Sequence, residues 1–198
     1  MASQPDSEIP TNTVQDRINR YLSPERAQKL DPFVVLSFCP VNVNDTVGDI
    51  GCGPGYFTLP LAKFLVNGKV YALDLDEQMV AACRERIAQA RLGNVEVLEC
   101  GEFDFPLDNS SLDGVFLAFV VHHSADRTRF LQAVRGLINP KGWCSVLEWY
   151  PKETEGGPPL ASRIAPEELE KLGREAGFRP RGWRDLNGDH YMMTLRNG

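Results

Sequence analysis

The chain has 198 residues, a formal net charge of −6 and an isoelectric point near 5.1. This length favours one domain with one hydrophobic core, and the acidic balance speaks against a broad nucleic-acid or anionic-membrane footprint, while a local basic groove stays open. The polar first residues lack a signal-peptide core, no apolar run is long enough to span a bilayer, and five cysteines without a CxxC pair are typical of reduced thiols. These features predict a soluble, intracellular, cytoplasmic protein with no nucleic-acid and no membrane partner. They leave the oligomeric state open.

The beginning of the chain predicts a tail followed by two short helices. Residues 1–20 are polar and lack aromatic side chains, so we expect a flexible tail there and a single domain over residues 21–198. Ser23-Pro24 and Asp31-Pro32 each combine a capping residue with proline at the first helical position. These helices precede the first strand and are placed to cover a ligand.

Strand-like runs and helical stripes then alternate, which is the pattern of βαβ units. Strands are predicted at 46–50, 70–73, 95–98, 114–119 and 143–148, and helices at 57–65, 76–91, 130–138 and 166–176. Two closing strands, 178–185 and 190–196, are joined by the hairpin dipeptide Asn187-Gly188. The expected fold is α/β: a Rossmann-like, doubly wound, mostly parallel seven-stranded sheet with an antiparallel final hairpin and helices on both faces.

A glycine-rich loop follows the first predicted strand, with the sequence Asp49-Ile50-Gly51-Cys52-Gly53-Pro54-Gly55. Glycine permits positive φ and lets a ligand approach the backbone, and such a loop sits at the carboxyl edge of the sheet, where open α/β folds bind nucleotides. The acidic residue beside the loop would repel a pyrophosphate but suits a cation. This combination points to S-adenosylmethionine, whose methionine end carries an ammonium group.

A second acidic residue, Asp74, ends the next strand 23 residues after Gly51. A carboxylate at this spacing is placed to accept hydrogen bonds from a ribose diol. NAD is the main alternative cofactor. The glycines fall at relative positions 0, +2 and +4, however, whereas the dinucleotide fingerprint requires 0, +2 and +5.

At this point the chain resembles the class I S-adenosylmethionine-dependent methyltransferases, over about residues 21–198. The matching segments are the 47–55 loop, the 70–74 strand, the 106–113 segment, the His122-His123 pair and the 137–143 turn. The likeness is greatest to compact enzymes that act on small molecules, the group that includes quinone-biosynthesis C-methyltransferases. It implies cofactor contacts from Asp49, Gly51, Cys52, Gly53, Gly55, Asp74, Leu75, Gly101, Glu102 and Ala118.

The resemblance assigns parts of the cofactor to some of these residues. Asp49 and the loop backbone would hold the methionine end, Asp74 the ribose, and Leu75 the adenine. The family often has Gly-Asp-Ala where this chain has Cys100-Gly101-Glu102, so Glu102 is the substitute for the missing aspartate. Arg26 is interpreted as a surface residue in preference to a contact with the cofactor carboxylate.

The catalytic residues are not identified by the sequence. His122, His123 and Glu148 are candidates because they follow strands at the ligand edge, and histidine titrates near neutrality. We favour a structural hydrogen bond for each histidine, and no set of ligands completes a metal site.

The acceptor is expected to be a small molecule because the chain has no inserted domain for a larger one. The proline- and glycine-rich segment 150–163 is a candidate lid. A non-catalytic S-adenosylmethionine-binding module, a protein methyltransferase and an NAD-dependent oxidoreductase remain as alternatives.

Overall fold

The computed structural model describes residues 13–198, which contain seven strands in one sheet. The strands are Thr46–Ile50 (β1), Lys69–Asp74 (β2), Val95–Glu99 (β3), Leu112–Ala118 (β4), Ile138–Trp149 (β5), Phe178–Asp185 (β6) and His190–Asn197 (β7). Their order is β3-β2-β1-β4-β5-β7-β6. β1 to β5 pair in parallel, and β7 is antiparallel to both β5 and β6. The predicted Rossmann-like fold class with its antiparallel final hairpin is therefore confirmed.

Helices lie on both faces of the sheet. They are Val14–Tyr21 (α1), Pro24–Lys29 (α2), Pro32–Leu36 (α3), Thr58–Phe64 (α4), Glu77–Gln89 (α5), Arg127–Leu137 (α6) and Pro166–Glu175 (α7). Successive side chains of β5 point to opposite faces of the sheet and pack into two separate cores. Cys144 and Val146 pack into the core under α6 and α7, whereas Trp143 and Leu147 pack into the core under α3 and α4.

The N-terminal tail differs from its expected extent, because α1 occupies most of residues 13–20. Thr13 and Asp16 form a capping box at its start, and Arg17 makes a 2.8 Å ion pair with Asp76 at the start of α5. The polar composition that predicted a tail thus also contains a helix cap. Residues 1–12 lie outside the described part of the chain.

The fifth strand also begins earlier than predicted. The expected turn at 139–142 falls inside β5, where Ile138 pairs with Leu112 and Lys141 takes a φ of 70°. The register then shifts before Gly114 pairs with Trp143. A bulge therefore replaces the predicted helix-to-strand turn.

No helix among the described residues is both long enough and apolar enough to cross a bilayer.

Candidate functional site

The glycine loop is held in a shape that side chains rarely permit. Gly51, Gly53 and Gly55 have φ values of 73°, 55° and 82°, which confirms the predicted left-handed backbone. A Cβ on Gly51 would lie 2.4 Å from a methyl carbon of Val120. The amides of Gly51 and Cys52 both donate to the carbonyl of Leu73, which anchors the loop to the end of β2.

Asp49 is a buried carboxylate directly beneath this loop. Only 2% of it is exposed, and the hydroxyl of Thr58 donates to its Oδ2 at 2.6 Å. Burial raises the pKa of Asp49 to about 7, against the opposing effect of the Thr58 hydrogen bond. Among residues 13–198 no cation forms an ion pair with Asp49. A ligand cation at this position would therefore pair with a carboxylate that has no ionic partner among the described residues.

Asp74 links the loop to the second strand end. Its Oδ2 accepts a 2.7 Å hydrogen bond from the amide of Gly53, and its Oδ1 accepts one of 3.0 Å from the amide of Asp76. Each carboxylate oxygen can accept more than one hydrogen bond, so both retain capacity for the hydroxyls of a diol. Burial raises the pKa of Asp74, with these amide donors acting in the opposite direction.

A cleft of about 150 Å³ opens beside Asp74 at the carboxyl edge of the sheet. Five of the predicted cofactor residues line it: Gly51, Asp74, Leu75, Gly101 and Glu102. The sequence did not indicate its apolar walls, which include Phe105, Val120 and Phe130. A cavity of this size accommodates an aromatic ring system. The cleft therefore fits the nucleobase end of S-adenosylmethionine, and the buried Asp49 fits its ammonium end.

The side chain of Leu75 is 67% exposed at the rim of the cleft. On the other side, the hydroxyl of Ser124 donates to Glu102 at 2.7 Å and fixes that carboxylate beside the opening. These positions agree with contacts to a base, which remain a prediction.

The other predicted cofactor residues support the loop without lining this cleft. Cys52 is buried, and its thiol donates to the Gly53 carbonyl at 3.5 Å. Contact with Cys83 and burial raise the pKa of Cys52 well above its usual value, so the thiol is protonated. A Cβ on Gly55 would lie 2.9 Å from the Cys83 sulfur, so this glycine admits the close packing of α5. Ala118 ends β4, one residue before the predicted end of that strand.

The histidine pair divides between two environments. His122 is buried, and its Nδ1 lies 2.7 Å from Oε2 of Glu148, whose Oε1 accepts the His122 amide at 3.2 Å. His123 is more exposed and lines the cleft, and partial desolvation together with the neighbouring His122 lowers its pKa. Glu148 is fully buried. The His122–Glu148 pair thus joins the ends of β4 and β5, in line with the structural role that the sequence favours for His122.

Phe119 and Arg26 form a second feature that the sequence did not predict. Phe119 takes a φ of 61°, unusual for a bulky side chain, and its ring lies 5.4 Å from the Arg26 guanidinium carbon. Arg26 also stacks on Tyr56 at 4.7 Å, and its Nε is buried without a hydrogen-bond partner among residues 13–198. Arg26 is therefore half-buried among aromatic rings, and its interpretation as a surface residue is wrong.

Within residues 13–198, no group of three histidine, cysteine, aspartate or glutamate side chains is arranged to hold a metal ion.

Comparison with known proteins relates this geometry to a family. Residues 48–146 match the model of the methyltransferase domain. A demethylmenaquinone methyltransferase from Shouchella clausii is 31% identical over 101 residues, which cover 50% of this chain and 43% of that protein. A ubiquinone/menaquinone biosynthesis C-methyltransferase from a Marinomonas species is 26% identical over 122 residues, or 61% of this chain and 49% of that protein. The matches thus span less than half the length of these curated relatives.

Solved structures extend the likeness to nearly the whole chain. A SAM-dependent methyltransferase from Aquifex aeolicus is 28% identical with a TM-score of 0.87, covering 92% of this chain and 98% of that one. The [4+2]-cyclase SpnF shares only 16% identity, with a TM-score of 0.76 over 88% of this chain and 83% of its own. The latter likeness concerns the fold alone. The family model, the sheet order and the acidic glycine loop agree, and the chain belongs to the class I S-adenosylmethionine-dependent methyltransferases.

Proposed function

We propose that this protein transfers the methyl group of S-adenosylmethionine to a small aromatic acceptor by in-line displacement. The observation that carries the proposal is the pairing of two buried acids, Asp49 and Asp74, with one left-handed glycine loop. The bound cofactor would supply an activated methyl group on a sulfonium. The chain itself would supply alignment and exclusion of water.

The donor end is assigned to the residues of the glycine loop and the cleft. Asp49 would hold the ammonium, Asp74 the ribose diol, and Leu75 with Glu102 would frame the base. Binding of the ammonium would favour the ionised form of Asp49, because a nearby cation lowers the pKa of a carboxylate. The support for this assignment is the absence of a cation paired with Asp49 among the described residues.

The acceptor end is assigned to aromatic side chains at the carboxyl end of β5. The rings of Trp149 and His190 lie 4.0 Å apart, and Phe119 lies 5.8 Å from Trp149 and 5.3 Å from His190. Aromatic walls favour a flat, apolar acceptor. The names of the curated relatives make a reduced demethylmenaquinone the first acceptor to test.

The experiment is a transfer assay with radiolabelled methyl donor. Reduced demethylmenaquinone, a simple naphthoquinol, an aliphatic amine and a peptide are offered in parallel, with Asp74→Asn as the donor-site control. We expect label in a naphthoquinol product from the natural chain and little from the variant. Donor binding without label in any acceptor would favour a non-catalytic module, and label in the peptide would favour a protein methyltransferase.

A further inference from the structure

A second cavity of the described residues lies away from the proposed active site. It is a groove of about 780 Å³ along β6 and β7, with Phe38 and Pro40 on one wall. None of the residues lining it also lines the cleft beside Asp74. Its function is therefore not explained by the donor site.

Basic side chains cluster along this groove. We call this cluster the basic sheet face, and it comprises Lys141, Arg179, Arg181, Arg184 and Arg196. All but Arg179 line the groove directly, and Arg179 is the cross-strand partner of Arg196. Like charges directly opposite each other destabilise a sheet, so this arginine pair costs stability unless an anion offsets it.

No acidic side chain of the described residues neutralises the basic sheet face. None of its members belongs to an ion pair within residues 13–198. Asp185 follows Arg184 in β6 and so points to the opposite face, where its carboxylate accepts the amide of Gly188 at 3.0 Å. A concentrated positive surface on a chain of net charge −6 is complementary to an anion.

Protection of an edge strand explains only part of this pattern. β6 is an edge strand of the sheet. Pro180 and the register shift between Pro180 and Trp183 both disfavour pairing of this edge with a strand of another molecule. Arginines on β6 serve the same purpose. Lys141 and Arg196, however, belong to β5 and β7, which are inside the sheet. Arg196 donates to the carbonyl of Lys141 at 3.1 Å, which ties β7 to the bulge in β5 but leaves both charges without an acidic partner among the described residues.

The spacing of the charges favours an extended ligand with several anionic groups. Arg184 lies opposite Met192, and Arg196 is farther along β7, about 14 Å away at about 3.4 Å per residue. Charges spread over this length favour a ligand with several anionic groups over a single phosphate or carboxylate. Arg184 also stacks 4.3 Å over the ring of Phe38, which is 37% exposed. Guanidinium groups for phosphates beside a planar surface for bases are features of single-stranded nucleic-acid binding.

We propose that the basic sheet face is a docking surface for single-stranded nucleic acid. The strand follows β6 and β7, with its phosphates on the arginines and a base against Phe38. The net negative charge of the chain predicted no nucleic-acid partner. Net charge sums over the whole molecule, however, and does not reveal a local cluster of positive charge. The proposal is independent of methyl transfer and of the donor site.

The test is fluorescence anisotropy with a labelled ten-nucleotide oligouridylate and the full chain. We expect saturable binding at low salt, with a slope of log affinity against log salt of about −2 to −3, since each of three to four phosphates contributes about −0.7. Arg184→Ala should weaken binding by about fivefold to tenfold and reduce the slope by about 0.7 to 1. Arg181→Ala is a second test variant at an exposed residue of the groove, and it is used if Arg184→Ala perturbs folding.

Arg91→Ala is the matched control, because Arg91 is exposed, lies outside the groove, and its loss changes the net charge equally. It should leave affinity and salt slope unchanged. The proposal is overturned by no binding at 100-fold excess of protein over probe, or by equal losses in Arg91→Ala and Arg184→Ala. Equal competition by a polyglutamate peptide or by anionic phospholipid vesicles at the same charge concentration also overturns it.

Discussion

Thr58 donates a 2.6 Å hydrogen bond to the buried carboxylate of Asp49, yet burial still raises the pKa of that carboxylate to about 7. The ordinary value is 3.8, so between pH 4 and 7 the folded protein holds a proton that the unfolded chain has released. The contribution of Asp49 to stability therefore falls as pH rises through this window and levels off above it. The group that we assign to the cofactor ammonium destabilises the free protein at neutral pH.

Replacing Asp49 by asparagine should separate stability from binding. Asparagine keeps an oxygen acceptor for Thr58 but carries no charge. We expect the melting temperature of the free variant to rise by roughly 3–6 °C at pH 8, at about 2–4 °C for each kcal/mol, and to change little at pH 4. Affinity for S-adenosylhomocysteine should fall at least tenfold, measured by calorimetry. A destabilised variant that binds normally would refute both parts.

The same carboxylate predicts a pH dependence of cofactor affinity. Because ionised Asp49 attracts the ammonium, affinity of the natural chain for S-adenosylhomocysteine should rise between pH 6 and 8. In Asp49→Asn the profile should be flat over this range. A parallel rise in both proteins would assign the titration to another group.

Asp74→Asn tests the ribose assignment. Asparagine places an amide group where Asp74 accepts the Gly53 and Asp76 amides, so hydrogen bonding to a diol should weaken by about 1.5–3 kcal/mol. The control is an analogue of S-adenosylhomocysteine without ribose hydroxyls. It should bind the natural chain and the variant with similar affinity, whereas the full ligand should distinguish them. An equal loss for both ligands would indicate damage to the loop instead.

The sequence predicted the shape of the acidic glycine loop far better than the walls of the cleft beside it. Asp49 and the loop glycines lie in one short motif, and Asp74 ends the next strand, so the local geometry at both places is dictated by positive φ and by strand ends. The walls of the cleft come from Phe105, Val120 and Phe130, which are distant in the sequence and have no motif. The position of Arg26 among aromatic rings likewise depends on how α2 packs. Local patterns do not encode such packing.

Arg163 should fix the segment after β5 in place. It is only 8% exposed and donates to the carbonyls of Pro158, Lys152 and Gly156 at 3.0, 2.6 and 2.9 Å, while stacking on Trp149. The expected lid is therefore bound to one buried guanidinium. Arg163→Met should lower the free energy of unfolding by about 2–3 kcal/mol and accelerate hydrogen exchange in residues 150–162. Unchanged exchange there would contradict this role.

Glu148→Gln examines the buried pair between β4 and β5. Loss of the carboxylate removes the charge-assisted contact with His122, so we expect a destabilisation of about 1–3 kcal/mol. Affinity for S-adenosylhomocysteine should stay within twofold, because neither residue lines the cleft. A stable variant with tenfold weaker binding would give the pair a role at the ligand instead of a structural one.

The most direct measurement of the central claim is a crystal structure with S-adenosylhomocysteine. The account predicts the base in the cleft beside Leu75 and Glu102, the ribose on Asp74, and the amino acid end at the glycine loop above Asp49. A ligand bound elsewhere, or a cleft that stays empty at saturating ligand, would contradict it.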